Sequence, residues 1–300
     1  MKIPIKFWIQ AFRLRTLPLA LSSIFMGSFL AAGKEEFDII TASLTVLTTV
    51  LLQILSNLAN DLGDSQNGAD HQERKGPQRA VQSGAISMKA MKRAVYLFLI
   101  LSFTSGISLL LWSLGLDFKT LTVFLGLGIA SLAAAIFYTM GKRPYGYAGL
   151  GDISVLVFFG IIGVLGTYYL QIGTLTWPLI LPALTCGLFS VGVLNLNNVR
   201  DIDSDKMAGK MSVPVRIGPA NARVYHWFLL ISGLLSAIVY GVFFFDNYLN
   251  WVFLVTVPLF LMNGWKLQKA SNSTQIDPLL KQLALSTLLF VLLFGTFALI

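Results

Sequence analysis

Cysteine, histidine and acid are all scarce in this chain of 300 residues: one Cys, two His and 14 Asp plus Glu. A lone Cys186 excludes an intramolecular disulfide framework and a thiolate metal site. His71 and His226 are too few and too far apart in sequence to make a histidine metal centre. Charged residues make up only 12% of the chain, against about 25% in soluble globular domains. That shortage excludes an ordinary soluble globule. Linkers and low-complexity tracts are also missing, so residues 1–300 read as one domain. No nucleic-acid partner is expected.

What the chain has instead is hydrocarbon. Hydrophobic residues reach 55% and the mean hydropathy is +0.73. Spanning a bilayer takes roughly 20 apolar residues in a helix. About nine such runs occur, near 16–33, 39–57, 93–114, 119–139, 150–170, 176–196, 224–244, 249–265 and 282–300. The expected fold class is therefore all-α, a polytopic membrane protein of about nine transmembrane helices. The run at 249–265 is the shortest and ends near Asn263 and Gly264. The N-terminal stretch has features of a signal peptide, with a basic start and small residues at Ala31-Ala32-Gly33, but its apolar run is long for one. It is read as the first span.

Basic residues orient the chain. With nine spans, the connections on one side hold 20 of the Lys and Arg residues, and those on the other hold only Lys34 and Lys119. Cytoplasmic connections are the ones enriched in Lys and Arg. The expected placement is a multi-pass protein of the cell membrane, N-terminus cytoplasmic and C-terminus outside. The cytoplasmic face then carries a charge of +11 and the outer face −3. Such a face attracts anionic lipid and, equally, an anionic substrate.

Six of the 14 acids sit in two clusters at cytoplasmic span ends. The first is Asn57-Leu-Ala-Asn60-Asp61-Leu-Gly-Asp64, running on to Asp70. The second is Asn197-Asn198-Val-Arg200-Asp201-Ile-Asp203-Ser-Asp205. Carboxylates beside a bilayer are costly, so two clusters indicate a task. On a helix, Asn57, Asp61 and Asp64 share one face, as do Asn197, Asp201 and Asp205. Hard divalent cations such as Mg²⁺ take oxygen ligands, usually one or two carboxylates together with phosphate oxygens. Two opposed faces of this kind suit metal ions gripping a diphosphate. Asp203 lies off the shared face, and Asp70 lies in the loop. Helix capping and pairing with neighbouring cations is the plainer account of each cluster alone.

Basic residues follow both clusters. Arg74, Lys75 and Arg79 come after the first, and Arg200, Lys206 and Lys210 lie in or just after the second. As a set they suit the outer oxygens of a diphosphate, Arg contacting them bidentately. Between the halves, the stretch from Tyr138 to Asp152 holds three tyrosines, Lys142, Arg143 and an acid entering a span. Tyrosines at a membrane interface often serve as anchors, and an acid at the start of a span also suits the helix dipole.

At these residues the chain resembles the UbiA superfamily of intramembrane aromatic prenyltransferases. Asn60-Asp61-x-x-Asp64 with Asp70 resembles its first Asp-rich motif, and Asp201-x-x-x-Asp205 its second. Gly76-Pro-Gln-Arg79, Gly149-Leu-Gly151-Asp152, Asn197 to Lys210 and the early Arg13-Leu-Arg15-Thr16-Leu-Pro18 are similar to the branch acting on 1,4-dihydroxy-2-naphthoate. Leu62-Gly63 and Asp203-Ser204 depart from that branch, where an aromatic pair and an acidic pair are frequent. The resemblance implies nine helices around a central cavity with cytoplasmic cap loops. It implies Mg²⁺, a polyprenyl diphosphate donor and an aromatic acceptor, and transfer with release of diphosphate and CO₂. It assigns catalysis to Asp61, Asp64, Asp201, Asp205 and Asp152, and metal binding to the first four with Asn57 and Asn197. Substrate contacts are expected from Arg74, Lys75, Arg79, Tyr138, Lys142, Arg143, Arg200, Lys206 and Lys210. With the acceptor that the resemblance implies, a buried substrate carboxylate needs a charged partner, Lys142 or Arg143, and Asp152 would orient an acceptor hydroxyl or assist proton removal. The rival readings are the same chemistry on 4-hydroxybenzoate, homogentisate or a chlorophyll precursor, an ion-coupled transporter, or a lipid-binding scaffold.

The cation asymmetry makes a direct prediction. A cysteine replacing Lys34 or Asp246 should react with a membrane-impermeant thiol reagent from the outer face. Labelling from the inside alone would invert the topology.

Overall fold

The structure is a computed structural model, and it describes residues 4–33, 37–67 and 79–298. Among these, nine helical stretches are long and apolar enough to cross a membrane. Each overlaps an apolar run expected from sequence, and the stretches at Ile5–Ala32, Val213–Phe244 and Ser273–Thr296 begin about ten residues earlier than expected. In chain order the helices are α1 (Ile5–Phe12), α2 (Leu17–Ala32), α3 (Ile39–Gln66), α4 (Met88–Leu114), α5 (Phe118–Phe137), α6 (Gly151–Val155) and α7 (Thr167–Ile172). They continue as α8 (Ile180–Arg200), α9 (Ile202–Met207), α10 (Val213–Phe244), α11 (Val257–Lys269) and α12 (Ser273–Ala298).

The ends of these helices follow local chemistry. The Asp38 carboxylate accepts from the backbone N–H groups of Ile40 and Thr41 and caps α3. It also accepts from the Thr41 hydroxyl and, at 2.6 Å, from the Trp112 indole. These donors hold its pKa down to about 2. Gln171 exchanges two hydrogen bonds with the Asp38 backbone, so α3, α4 and α7 are tied at the end away from the Asp clusters. In α10, Gly218 adopts φ +81° and Pro219 follows, which breaks the helix into a short leading piece and a span.

The first Asp cluster, read from its spacing as the end of a helix, is one: α3 continues unbroken to Gln66 and carries the whole Asn57–Asp64 stretch. Residues 156–166 form a π-helix between α6 and α7. π-helical turns inside α-helices are frequent at functional sites, and Phe158, Phe159 and Ile162 of this one line a cavity described below. Gly160 in it faces Ala183 and Gly187 of α8 so closely that a Cβ would stand 2.7 Å from the Ala183 carbonyl oxygen.

Helix α8 is central. It packs on α10, α12 and the π-helical stretch. Its Phe189 stacks on Phe260 at 4.3 Å and meets Phe290 edge-on at 5.4 Å. Buried polar bonds add registry: Asn195 donates to the Ala222 carbonyl at 3.1 Å, His226 and Asn263 are bonded at 2.9 Å, and Asn263 donates to the Leu279 carbonyl. A second core around Leu55, Leu58, Leu62, Ile86 and Met91 joins α3 to α4. Helix α5 is peripheral, with no fully buried residue.

Candidate active site

A cavity of about 450 Å³ lies between α2, α3, α4, α5, the π-helical stretch, α8 and α12. Its walls are apolar, with Leu110, Phe124, Phe158, Phe159 and Ile162 among them. One end is polar, and it is where the two clusters arrive: Asn57, Asn60 and Asp64 from α3, Asn197 from α8, and Lys210 beyond α9.

The first cluster is fixed by its neighbours. Asn57 donates to the Phe12 carbonyl at 2.9 Å and to the Thr16 hydroxyl at 3.0 Å, anchoring the turn through Arg13 and Arg15. Arg13 there has φ +49°. The buried Asp61 accepts one bond, from the Ala80 N–H at 3.2 Å. Its other oxygen, Oδ1, is buried and has no hydrogen-bond donor among the described residues. Asp64 accepts from the Tyr147 hydroxyl at 2.7 Å and pairs with Arg79. Arg79 also donates to the Asn60 carbonyl at 2.7 Å. Gly63 explains why α5 comes so near: its missing side chain admits the Thr139 backbone, which a Cβ would meet at 2.7 Å. Thr139 in turn donates to the Ala59 carbonyl.

The second cluster is held from α12. The Arg200 guanidinium binds both oxygens of Asp201, at 2.9 and 2.7 Å. It also donates to Asn197 Oδ1 at 2.8 Å and to Asp277 of α12. Ser273 at the start of α12 donates to the Arg200 carbonyl. Asp205 pairs with Lys210 at 3.0 Å. Burial raises the Asp205 pKa, Lys210 opposes the rise, and the charges of Asp201 and Asp64 add to it. The two clusters therefore share one electrostatic field.

These positions sort the residues expected from sequence. Asp64, Asn57, Asn197, Arg79, Tyr138 and Lys210 line the cavity. Burial, then Asp152 and Asp205, push the Tyr138 hydroxyl pKa up. Asp61, Asp201 and Asp205 are buried behind the polar end. Arg200 was expected to contact phosphate oxygens, but it is 2% exposed and spends its guanidinium on protein acceptors. Lys142, Arg143 and Lys206 are exposed and lie off the cavity wall, as is Asp203. Asp152 is also off the wall, its carboxylate taking a 2.9 Å bond from Tyr225. Asp70, Arg74 and Lys75 lie outside the described residues. Sequence reasoning passed over Tyr147, Asp277, Lys281 and Tyr225. Tyr147 stood in the tyrosine stretch, but nothing in linear spacing pointed to Asp64.

Among the described residues, no group of three or more His, Cys, Asp or Glu side chains is arranged to hold a metal ion. The Asp64, Asp201 and Asp205 carboxylates rest instead against cations of the chain. The donor set still fits a hard divalent cation. It is all oxygen, it includes the partnerless Oδ1 of Asp61, and Arg79 and Lys210 have flexible charged ends suited to an incoming anion.

Comparison with known proteins gives the same direction. A profile described as the UbiA prenyltransferase family matches residues 20–298. The 1,4-dihydroxy-2-naphthoate octaprenyltransferase of Haemophilus influenzae is 44% identical over 97% of this chain and 95% of its own length. The protein of that name from Escherichia coli is also 44% identical, over 96% of this chain and 93% of its own. A solved structure of a UbiA homolog from Archaeoglobus fulgidus, bound to DMAPP and Mg²⁺, superposes with a TM-score of 0.65. It covers 96% of this chain and 99% of that one at 16% identity, and so speaks to the fold alone.

Arg200 tests the second cluster. Arg200→Met should cost about 3–5 kcal/mol, the usual loss on breaking a buried ion pair, because Asp201 stays buried without its partner. Thermal unfolding in detergent measures it; an unshifted melting temperature would contradict the assignment.

Proposed function

This chain belongs to the UbiA prenyltransferase family, and we propose that it transfers a polyprenyl group from polyprenyl diphosphate to 1,4-dihydroxy-2-naphthoate, with release of diphosphate and CO₂. The observation that carries the reading is that Asn57, Asn60 and Asp64 of the first cluster, Asn197 of the second and the cations Arg79 and Lys210 line one apolar-walled cavity. The acceptor comes from relatives at 44% identity over nearly the whole chain. Their names also favour an octaprenyl donor.

Asp61, Asp64, Asp201 and Asp205, with the amide oxygens of Asn57 and Asn197, are the groups that would hold Mg²⁺. Bound there, the metal would supply positive charge to a leaving diphosphate. Arg79 and Lys210 already point into the polar end and would exchange their carboxylates for phosphate oxygens. Tyr147 keeps Asp64 oriented through its 2.7 Å bond. The apolar walls keep water from the allylic carbon as its bond to oxygen breaks. The electron pair of that bond leaves with diphosphate. The electron-rich ring forms the new carbon–carbon bond, and the pair released with CO₂ returns to the ring. Tyr138 stands at the junction of polar end and walls, and burial keeps its hydroxyl protonated.

The reading keeps the site on the cytoplasmic side, where the soluble acceptor arrives, and leaves the tail towards lipid. It makes the metal testable. Chelation with EDTA should abolish turnover, and Mg²⁺ should restore it. Asp64→Ala should cost on the order of several kcal/mol in barrier while the protein still inserts. Asp203→Ala should be far milder, since that side chain is exposed. Radiolabelled prenyl transfer measures all of these, and full activity in chelator would refute the metal–diphosphate mechanism.

A further inference from the structure

An anionic acceptor beside an anionic donor poses a charge problem that the cavity wall answers. Five cations line it: Arg13, Arg15, Arg79, Lys210 and Lys281. Arg79 and Lys210 sit on Asp64 and Asp205, at the end assigned above to diphosphate. Arg13 lies in the turn between α1 and α2 that Asn57 anchors. Arg15 is drawn to the other side, 3.5 Å from Asp277 of α12. Lys281 differs from the paired cations. Among the described residues it makes no ion pair and no hydrogen bond.

Its placement is also specific. Asp277, Leu280, Lys281 and Ala284 are spaced as one helix face, and the last three line the cavity. Helix α12 packs on α2 and α8, whereas α3, with the first Asp cluster, packs on α4, α2 and α5. Lys281 thus stands on a different wall from the Asp64–Arg79 pair. A lysine in the outer turns of a span ordinarily extends its charge to the lipid headgroups. This one is an exposed residue of the cavity wall, one turn along α12 from the Asp277 that holds Arg15.

We propose that Lys281 binds the carboxylate of the aromatic acceptor, with Arg15 beside it. This deepens the function proposed above and rests on it. A carboxylate entering an apolar cavity needs a charged partner. Lys142 and Arg143, expected from sequence for that role, are exposed and off the wall. Among the described residues, no carboxylate pairs with Lys281. A cation on the carboxylate stabilises the charged ground state and does nothing to speed loss of CO₂. Lys281 is therefore a residue of recognition and orientation, and its loss should appear in KM for the acceptor.

The test uses purified full-length protein, wild type, Lys281→Met and Lys281→Arg, with acceptor and donor concentrations varied separately. Lys281→Met should raise the acceptor KM on the order of tenfold or more, the size expected for losing one charged hydrogen bond. The donor KM and melting temperature should hold, and Lys281→Arg should restore most of the loss. The preference for the naphthoate over 1,4-dihydroxynaphthalene, which has no carboxylate, should shrink in Lys281→Met. An unchanged acceptor KM overturns the proposal. So does a rise in the donor KM instead, which would place Lys281 on the diphosphate. If wild type uses 4-hydroxybenzoate and refuses the naphthoate, the acceptor assignment fails, and the role of Lys281 is read on that acid by the same KM comparison.

Discussion

Asp64 and Asp205 are buried in a chain rich in apolar spans, and each is held by a cation, Arg79 and Lys210. Much of the local architecture serves that neutralisation. A carboxylate without a partner would be expensive when buried. Arg79 reaches Asp64 because the turn after the first cluster folds back on α3, with the Ala80 N–H on Asp61. Lys210 reaches Asp205 because α9 ends in a tight turn, its own N–H bonded to the Asp205 carbonyl at 2.8 Å. The same pairs leave the polar end of the cavity with cations that an anion can recruit.

Two joints bring the clusters to that end. Gly63 and Thr139 lock α5 onto α3, and Tyr147, in the connection that follows α5, then reaches Asp64. The Met211 N–H donates to the Tyr147 carbonyl at 2.9 Å, which ties this connection to the one after the second cluster. On the far side, Ser273 and Asp277 hold the end of α8 through Arg200. Asp277 also meets Arg15, so the last span closes on the first. The apolar parts of the wall, with Leu110, Phe124, Phe158 and Ile162, can keep water from a reactive carbon.

The spans were readable from composition because a bilayer demands length and apolarity and little else. The clusters were readable because acids are so rare here that six in two places stand out. Helix faces followed from spacing, which brings Asn57, Asp61 and Asp64 to one side. What spacing does not report is the direction of a long side chain. Arg200 follows Asn197 and precedes Asp201, and only the approach of α12 decides that its guanidinium turns inward to Asp277. Lys142 and Arg143 looked poised beside the tyrosines, yet their turn projects them outward. Lys281 looked like one more cytoplasmic charge, since its cavity face depends on how α12 packs against α2 and α8. The π-helical stretch at 156–166 has no signature in an apolar run of Leu, Val, Phe, Ile and Gly.

The central claim is that the two clusters form one metal–diphosphate site. A double-mutant cycle measures it most directly. A non-transferable prenyl thiodiphosphate is titrated in Mg²⁺ against wild type, Asp64→Asn, Asp205→Asn and the double variant. One shared site predicts that either single change removes most of the metal-dependent binding and that the double variant loses little more. Losses that simply add, as for two independent positions, would contradict the account.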